Sequence, residues 1–359
     1  MIKDIVLINP GQLGYRAGYY YYAKYLSLKP NYKIYFICLD QGLPRMDLKG
    51  VETIYIKDTR NRFIRYFKWL SSVYKLIKKN KNHKTVFIMV YFRLCFLYSL
   101  FFPNRRIILD IRSGSLIKNY ICNRLQNLMF KITSDLFGET MILSNELRDL
   151  IGINKERCHY LPLGAEILSF NDKVFDSLNL LYIGTLDGRN IFETVYGLRL
   201  FITKYSIDNI RYDIIGTGSN ESVKILLNSI KDNKLDEIVF YHGQKNHNEL
   251  IPFLDRSNIG VSYIPLTTYY DLQPPTKTFE YILSGLACVA TNTYENKKLI
   301  TSQNGVLCED NPNSFAESLR IIQMNKETYK SHLIRESLIK YTWENIIDNY
   351  LTPIINNSI

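Results

Sequence analysis

The sequence has no pair of cysteines at metal- or redox-motif spacing. Its six cysteines, Cys38, Cys95, Cys122, Cys158, Cys288 and Cys308, never form CxxC, so structural zinc and dithiol chemistry find no support. Most lie in apolar runs, where a free thiol acts as a small buried hydrophobe, and a reducing cytoplasm suits them. Histidine is also scarce. The five present show no HExxH spacing, and Asp-x-Asp does not occur, so no metal and no cofactor is expected. The opening MIKDIVLINPGQ carries an apolar run too short for a secretion leader. Only one long hydrophobic run exists, residues 85–102, with a single arginine. It approaches the length of a membrane span. The same residues read as a buried strand followed by a buried helix ending at Pro103, which continues the pattern around them.

What is present points to a two-domain globular chain. There are 359 residues, 46% hydrophobic and 22% charged, a balance that excludes disorder and fibrous repeats. The net charge of +11 is unevenly placed. Residues 1–170 hold 27 Lys and Arg against 12 Asp and Glu, and the remainder holds 18 against 22. The halves differ electrostatically, which puts a boundary near residue 170, and 169–179 reads as a linker.

Short β-branched runs alternate with helical patterns throughout. Strands are expected at 5–9, 32–39, 53–56, 85–90, 106–111, 141–143 and 158–161, then at 180–183, 212–215, 238–241, 259–263, 287–290 and 305–307. This order predicts an α/β protein with two doubly wound, mainly parallel, Rossmann-like sheets facing across a cleft. Ligands in such sheets sit beyond the C-terminal strand ends.

The strongest constellation is PPTKTFEYILSGLACVATN, 274–292. Proline suits the first turn of a helix and Gly285 its end. Phe279, Ile282, Leu283 and Leu286 form the buried stripe, which leaves Lys277, Glu280, Tyr281 and Ser284 on the opposite face. A helix N-terminus with a lysine suits a diphosphate, and a glutamate one turn later suits ribose hydroxyls. The plain alternative is a solvated Lys–Glu pair on a surface helix.

Other segments follow the same scheme of strand and glycine turn: HYLPLGAE (159–166), LYIGTLDGRN (181–190), YDIIGTGSNE (212–221) and FYHGQ (240–244). Together with LSNELRDLIGI, the Ile-Pro at 264–265, PTKTFEY and SGLACVATN, they resemble, in content and order, the nucleotide-sugar glycosyltransferases of the GT-B fold, most closely glycosyltransferase family 4. The likeness covers 140–345 well and the N-terminal part more loosely.

That resemblance implies an acceptor-side domain over 1–168, a donor-binding domain over 169–335 and, in YTWENIIDNYL, a closing segment over 336–359 that returns to the first domain. It implies that Arg189 and Lys277 hold the donor diphosphate and that Glu280 holds the ribose. Gly184 and Thr185, Gly216 and Gly218, and Thr276 would lie at the phosphate turns. His242, Gly243 and Gln244 would hold the base through their backbone. Gly11, Gly14 and Arg112 would stand on the acceptor or sugar side. The family's Glu-x7-Glu pair is incomplete here: Leu272 stands eight residues before Glu280, with Asp271 beside it. A retaining, metal-independent transfer from a nucleotide-sugar, with UDP ahead of GDP, is the implied activity. A sugar-nucleotide epimerase or a non-catalytic relative are the other readings of the same architecture.

RNRFIRYFKWLSSVYKLIKKNKNHK (60–84) is a basic amphipathic helix. Phe63, Tyr66, Phe67, Leu70, Val73, Tyr74 and Ile77 make its stripe, read as sheet-covering core, while its cations suit an anionic membrane surface. The partners expected are a nucleotide-sugar, a saccharide acceptor on a lipid, and the inner face of the cytoplasmic membrane. No nucleic-acid motif accompanies the charge, so nucleic acid is not expected.

Overall fold

A computed structural model describes residues 2–115 and 119–357. The chain divides into two compact units, Met1–Leu163 with Trp343–Ile359, and Gly164–Thr342. The divisions fall at 163/164 and 342/343, against 168/169 and 335/336 in the sequence reading. Every strand expected from the alternation is present, with ends displaced by no more than two residues.

The first unit holds strands β1 (Lys3–Ile8), β2 (Tyr32–Asp40), β3 (Val51–Lys57), β4 (Val86–Val90), β5 (Arg106–Ile111), β6 (Glu139–Ile142) and β7 (Cys158–Tyr160). They form one parallel sheet in the order β3-β2-β1-β4-β5-β6-β7. Its helices are α1 (Ala17–Ser27), α2 (Arg62–Lys79), α3 (Phe96–Phe101), α4 (Tyr120–Phe137) and α5 (Asn145–Ile151). The 85–102 run is therefore β4 and α3, and no described helix is long and apolar enough to cross a membrane. Alternation along each strand gives the sheet two apolar faces. One joins Ile107, Leu109 and Ile111 to Trp69, Val73 and Ile77 of α2, Tyr98 of α3, Phe130 of α4 and Leu147 of α5 in a single core.

Two expectations fail in this layer. Phe63 and Phe67, assigned to the buried stripe of α2, are exposed, and Trp69 is buried instead. The indole meets Phe92 edge-on at 5.7 Å and sets the contact face, which continues at a spacing of four through Val73 and Ile77. Helical geometry then turns Phe63 and Phe67 outward. The helix expected to be buried before Pro103 is only partly so: Tyr98 is buried, but Leu100 and Phe101 are exposed.

The second unit holds β8 (Leu178–Ile183), β9 (Ile210–Ile215), β10 (Val239–Tyr241), β11 (Ile259–Ser262), β12 (Ala287–Thr291) and β13 (Gly305–Cys308). The order is β10-β9-β8-β11-β12-β13, again parallel. Helices α6 (Ile191–Tyr205), α7 (Asn220–Asp232), α8 (His247–Arg256), α9 (Thr268–Asp271), α10 (Thr276–Leu283), α11 (Tyr294–Lys297), α12 (Pro312–Met324) and α13 (Ser331–Ser337) complete it. The 169–179 stretch is not a solvated linker. Ser169 and Lys173 are buried, and the Lys173 ammonium donates to Ser169 Oγ (2.7 Å) and to the Leu254 carbonyl (2.8 Å).

The chain then returns to the first unit through α14 (Trp343–Ile346), a π turn at Ile347–Leu351, and α15 (Thr352–Asn356). Trp343 stacks on Tyr21 at 5.3 Å. Arg106, paired with Glu139 (2.8 Å), also donates to the carbonyls of Ile354, Ile355 and Asn357.

Candidate functional site

Two glycine turns meet at the C-terminal ends of β8 and β9. Gly184 N–H bonds the Ile215 carbonyl (2.9 Å), and Gly216 N–H bonds the Gly243 carbonyl (2.8 Å). Both glycines have φ of 152°, a region that a side chain disfavours. A Cβ at Gly216 would lie 1.7 Å from the Gly184 carbonyl oxygen. These glycines let neighbouring turns touch, and Gly218 packs against Leu186 for the same purpose.

Helix α10 points its N-terminus at this corner. Pro275 is its N-cap and supplies no side-chain hydrogen bond; the Thr278 N–H bonds the Pro275 carbonyl (3.1 Å), and no side chain caps the first turn at its positive dipole end. Thr276 opens the helix and is exposed. Lys277 follows, with Nζ sealed from solvent 4.0 Å from the centroid of the Tyr182 ring. That ammonium meets no hydrogen-bond partner among the described residues. Burial and the nearby Arg189 guanidinium lower its pKa to about 7, against the opposing pull of Glu280 and Cys288. The Glu280 carboxyl is pushed up by burial, partly offset by Lys277.

Arg189 leaves the Gly184 turn and lies 4.1 Å over the Tyr270 ring. Its Nη1 is likewise buried without a hydrogen-bond partner among the described residues. Two cations thus stand together at an uncapped helix end, each backed by an aromatic face. Like charges withdrawn from water and from counter-charge are costly, and an anion with two or more oxygens would relieve both.

Tyr182 and Tyr270 were absent from the sequence reading. A tyrosine in an apolar strand immediately before the glycine turn was the available signal for Tyr182. Tyr182 is held by its hydroxyl, which donates to the Thr185 carbonyl (2.5 Å), with Thr185 itself exposed. Two members of the supposed ligand face of α10 prove to be core. Tyr281 and Ser284 are fully buried, the Tyr281 hydroxyl accepts the Ile183 N–H (2.7 Å), and its ring fills the space that glycine leaves at Gly260. The helix lies against the sheet on a broad face, wider than the four-residue stripe.

The other expected residues divide by what already engages them. His242 Nε2 sits 2.7 Å from Asp213 Oδ1, and Arg211 and Arg256 also bond that carboxylate. The His242 N–H reaches the Ile214 carbonyl (2.9 Å), while Gln244 is exposed beside Gly243. The α7 N-terminus after Gly218 is capped by Ser219, whose Oγ accepts the Ser222 N–H (3.2 Å), and Asp187 backs that cap, accepting from Ser219 N–H (2.8 Å), Ser219 Oγ (2.9 Å) and Ser222 Oγ (2.6 Å). Asp271, neighbour of Leu272, accepts the Tyr294 N–H (2.7 Å).

In the first unit, Gly11 and Gly14 lie in the loop after β1, under the side chains of Arg16 and Met46. Arg112 is largely buried. It donates to the Leu161 carbonyl (2.9 Å), lies 3.8 Å from Asp110 and faces the Tyr22 ring at 5.9 Å. Asp110 is fully buried, which raises its pKa to about 6 against the pull of Arg112.

Comparison with known proteins agrees with the resemblance read from the sequence. Residues 178–325 match the family described as glycosyl transferases group 1. Sucrose-phosphate synthase from Thermosynechococcus elongatus superimposes with a TM-score of 0.74 at 15% identity, over 97% of each chain. HepE from Anabaena, solved with UDP and glucose, gives 0.74 at 9% identity over 99% of this chain and 100% of its own. The lipopolysaccharide outer core galactosyltransferase WaaB gives 0.66 at 14% identity over 97% and 99%. No curated protein sequence matched. The chain has the GT-B fold: two parallel Rossmann-like sheets of seven and six strands.

Proposed function

We propose that this GT-B chain is a retaining, metal-independent glycosyltransferase. It moves a hexose from a UDP-sugar to a lipid-linked saccharide at the inner face of the membrane, in surface polysaccharide synthesis. The observation that carries the donor half is the pair of cations, Arg189 and Lys277, each with a buried nitrogen that has no hydrogen-bond partner among the described residues, at the N-terminus of α10, which no side chain caps. When the bond from the sugar's anomeric carbon to the diphosphate breaks, negative charge collects on the departing phosphate. Two fixed cations and helix N–H groups stabilise that charge without reorganisation. The acceptor hydroxyl bonds to the anomeric carbon on the same face, and its proton passes to the leaving diphosphate. Glu280, one turn along α10, takes the ribose hydroxyls.

HepE with UDP and glucose supports the choice of donor base, and WaaB supports a lipid-borne saccharide acceptor. A binder without transfer activity is favoured only by Leu272 in place of the family's first glutamate, with Asp271 engaged by Tyr294.

Thermal unfolding with UDP, GDP, ADP and CMP tests the reading. UDP at about 100 times its Kd adds ~2.7 kcal/mol to the wild type and nothing to Lys277→Ala or Glu280→Ala, and EDTA leaves the shift unchanged. No shift with any nucleotide overturns the donor site. Release of UDP from UDP-sugar only when a saccharide lipid is present separates transfer from mere binding.

A further inference from the structure

Helix α4 is inside out. Ile121, Leu125, Leu128, Met129, Ile132 and Leu136 recur at spacings of three and four, the apolar stripe of an amphipathic helix, yet all six are exposed, the first three at 68%, 57% and 50%. The opposite face turns inward and sets Phe130 in the core and Phe137 against it, among polar side chains. Asn127 donates to Asn123 (3.2 Å), Gln126 to the Tyr91 hydroxyl (3.4 Å), and Ser134 bonds Thr140 (2.8 Å). A helix that covers a sheet normally hides its apolar stripe, so this one is built for apolar surroundings on its outer side.

Its neighbours share the trait. Helices α2, α3 and α4 bury residues in one core on one side of the sheet, so their outer faces look the same way. On that side Phe63 and Phe67 of α2 are 78% and 65% exposed, and Leu100 and Phe101 of α3 are exposed too. Exposed apolar surface of this extent marks an interaction face.

Charge identifies the partner. Residues 59–109 contain twelve Lys and Arg and no Asp or Glu. Arg62 and Lys68 lie beside the exposed phenylalanines, Arg65 is paired with Asp58, and Arg124 lies within the α4 stripe. Apolar side chains beside cations complement an anionic lipid surface, where the apolar groups enter the headgroup boundary and the cations meet phosphate.

We propose that the α2–α3–α4 layer is a bilayer-docking face, with the outer stripe of α4 and the first turns of α2 inserted among anionic lipids. This deepens the membrane part of the function proposed above and does not rest on its sugar chemistry.

Flotation of the full chain with phosphatidylcholine vesicles, with and without phosphatidylglycerol, tests it. Wild type should float with the mixed vesicles at about 0.15 M salt, and part of the binding should survive higher salt, because insertion is not screened. Leu125→Glu with Leu128→Glu should weaken flotation by about tenfold or more, and Arg62→Glu with Lys68→Glu should do the same through charge. Leu125, Leu128 and Arg62 are exposed and Lys68 is half-buried, so both pairs should keep the wild-type melting temperature and its UDP shift. Failure of the wild type to float overturns the proposal, as does an α4 variant that floats unchanged. A dimer of the wild type that the α4 variant splits, with no lipid binding by either, assigns the face to a second copy and overturns it too.

Discussion

Lys277 shows how one residue couples burial to a ligand. Its amine has no hydrogen-bond partner among the described residues and its pKa is lowered to about 7, first by burial and then by Arg189. Between about pH 7 and the ordinary lysine value the folded chain binds fewer protons here than the unfolded chain. This group's cost to stability is therefore present below pH 7 and relieved as pH rises through that window. Diphosphate binding has the opposite dependence, because the ligand requires the ammonium. UDP affinity should fall as pH rises above about 7, by at most about tenfold per unit, with proton uptake on binding. Calorimetry in buffers of differing ionisation enthalpy measures that uptake, and Lys277→Arg should abolish both effects, since a guanidinium stays charged.

At the scale of the element, α10 carries neighbouring residues with opposite duties. Glu280 faces the cationic corner, while Tyr281 is buried in the sheet core with its hydroxyl on the Ile183 N–H. Tyr281→Ala should cost about 3–5 kcal/mol, as large-to-small changes in a packed core do, and lower the denaturation midpoint. Glu280→Gln should leave the midpoint in place, because it removes a carboxyl whose charge burial already disfavours, yet it should weaken nucleotide binding. Equal loss of stability in both variants would make the whole helix structural. The helix, its glycine end and its lysine were legible as a pattern along the chain. The burial of Tyr281 was not, because Gly260 on β11 makes the space for the ring, and that neighbour comes from a different strand.

For the whole molecule, the return of the chain after Thr342 completes the first unit. Trp343 is buried and stacked on Tyr21, and Arg106 gathers the last carbonyls. Trp343→Ala should cost about 3–5 kcal/mol. The chain has only two tryptophans, and the one left, Trp69, sits in the same unit, so its fluorescence in urea should report the fall in midpoint directly.

The order of strands, the two-sheet architecture and the lysine and glutamate of α10 were set by local pattern: β-branched runs, glycine turns and helical spacing are properties of neighbours in sequence. Tertiary structure alone decided which face of each helix meets a sheet. It put Trp69 inward and Phe63 outward, turned the α4 stripe to the outside, set Asp187 against the Ser219 cap of α7, and brought Arg189 and Lys277 together from segments almost ninety residues apart. Spacing defines the faces of a helix. Which face is buried depends on strands brought alongside by the fold, and a linear pattern does not contain them.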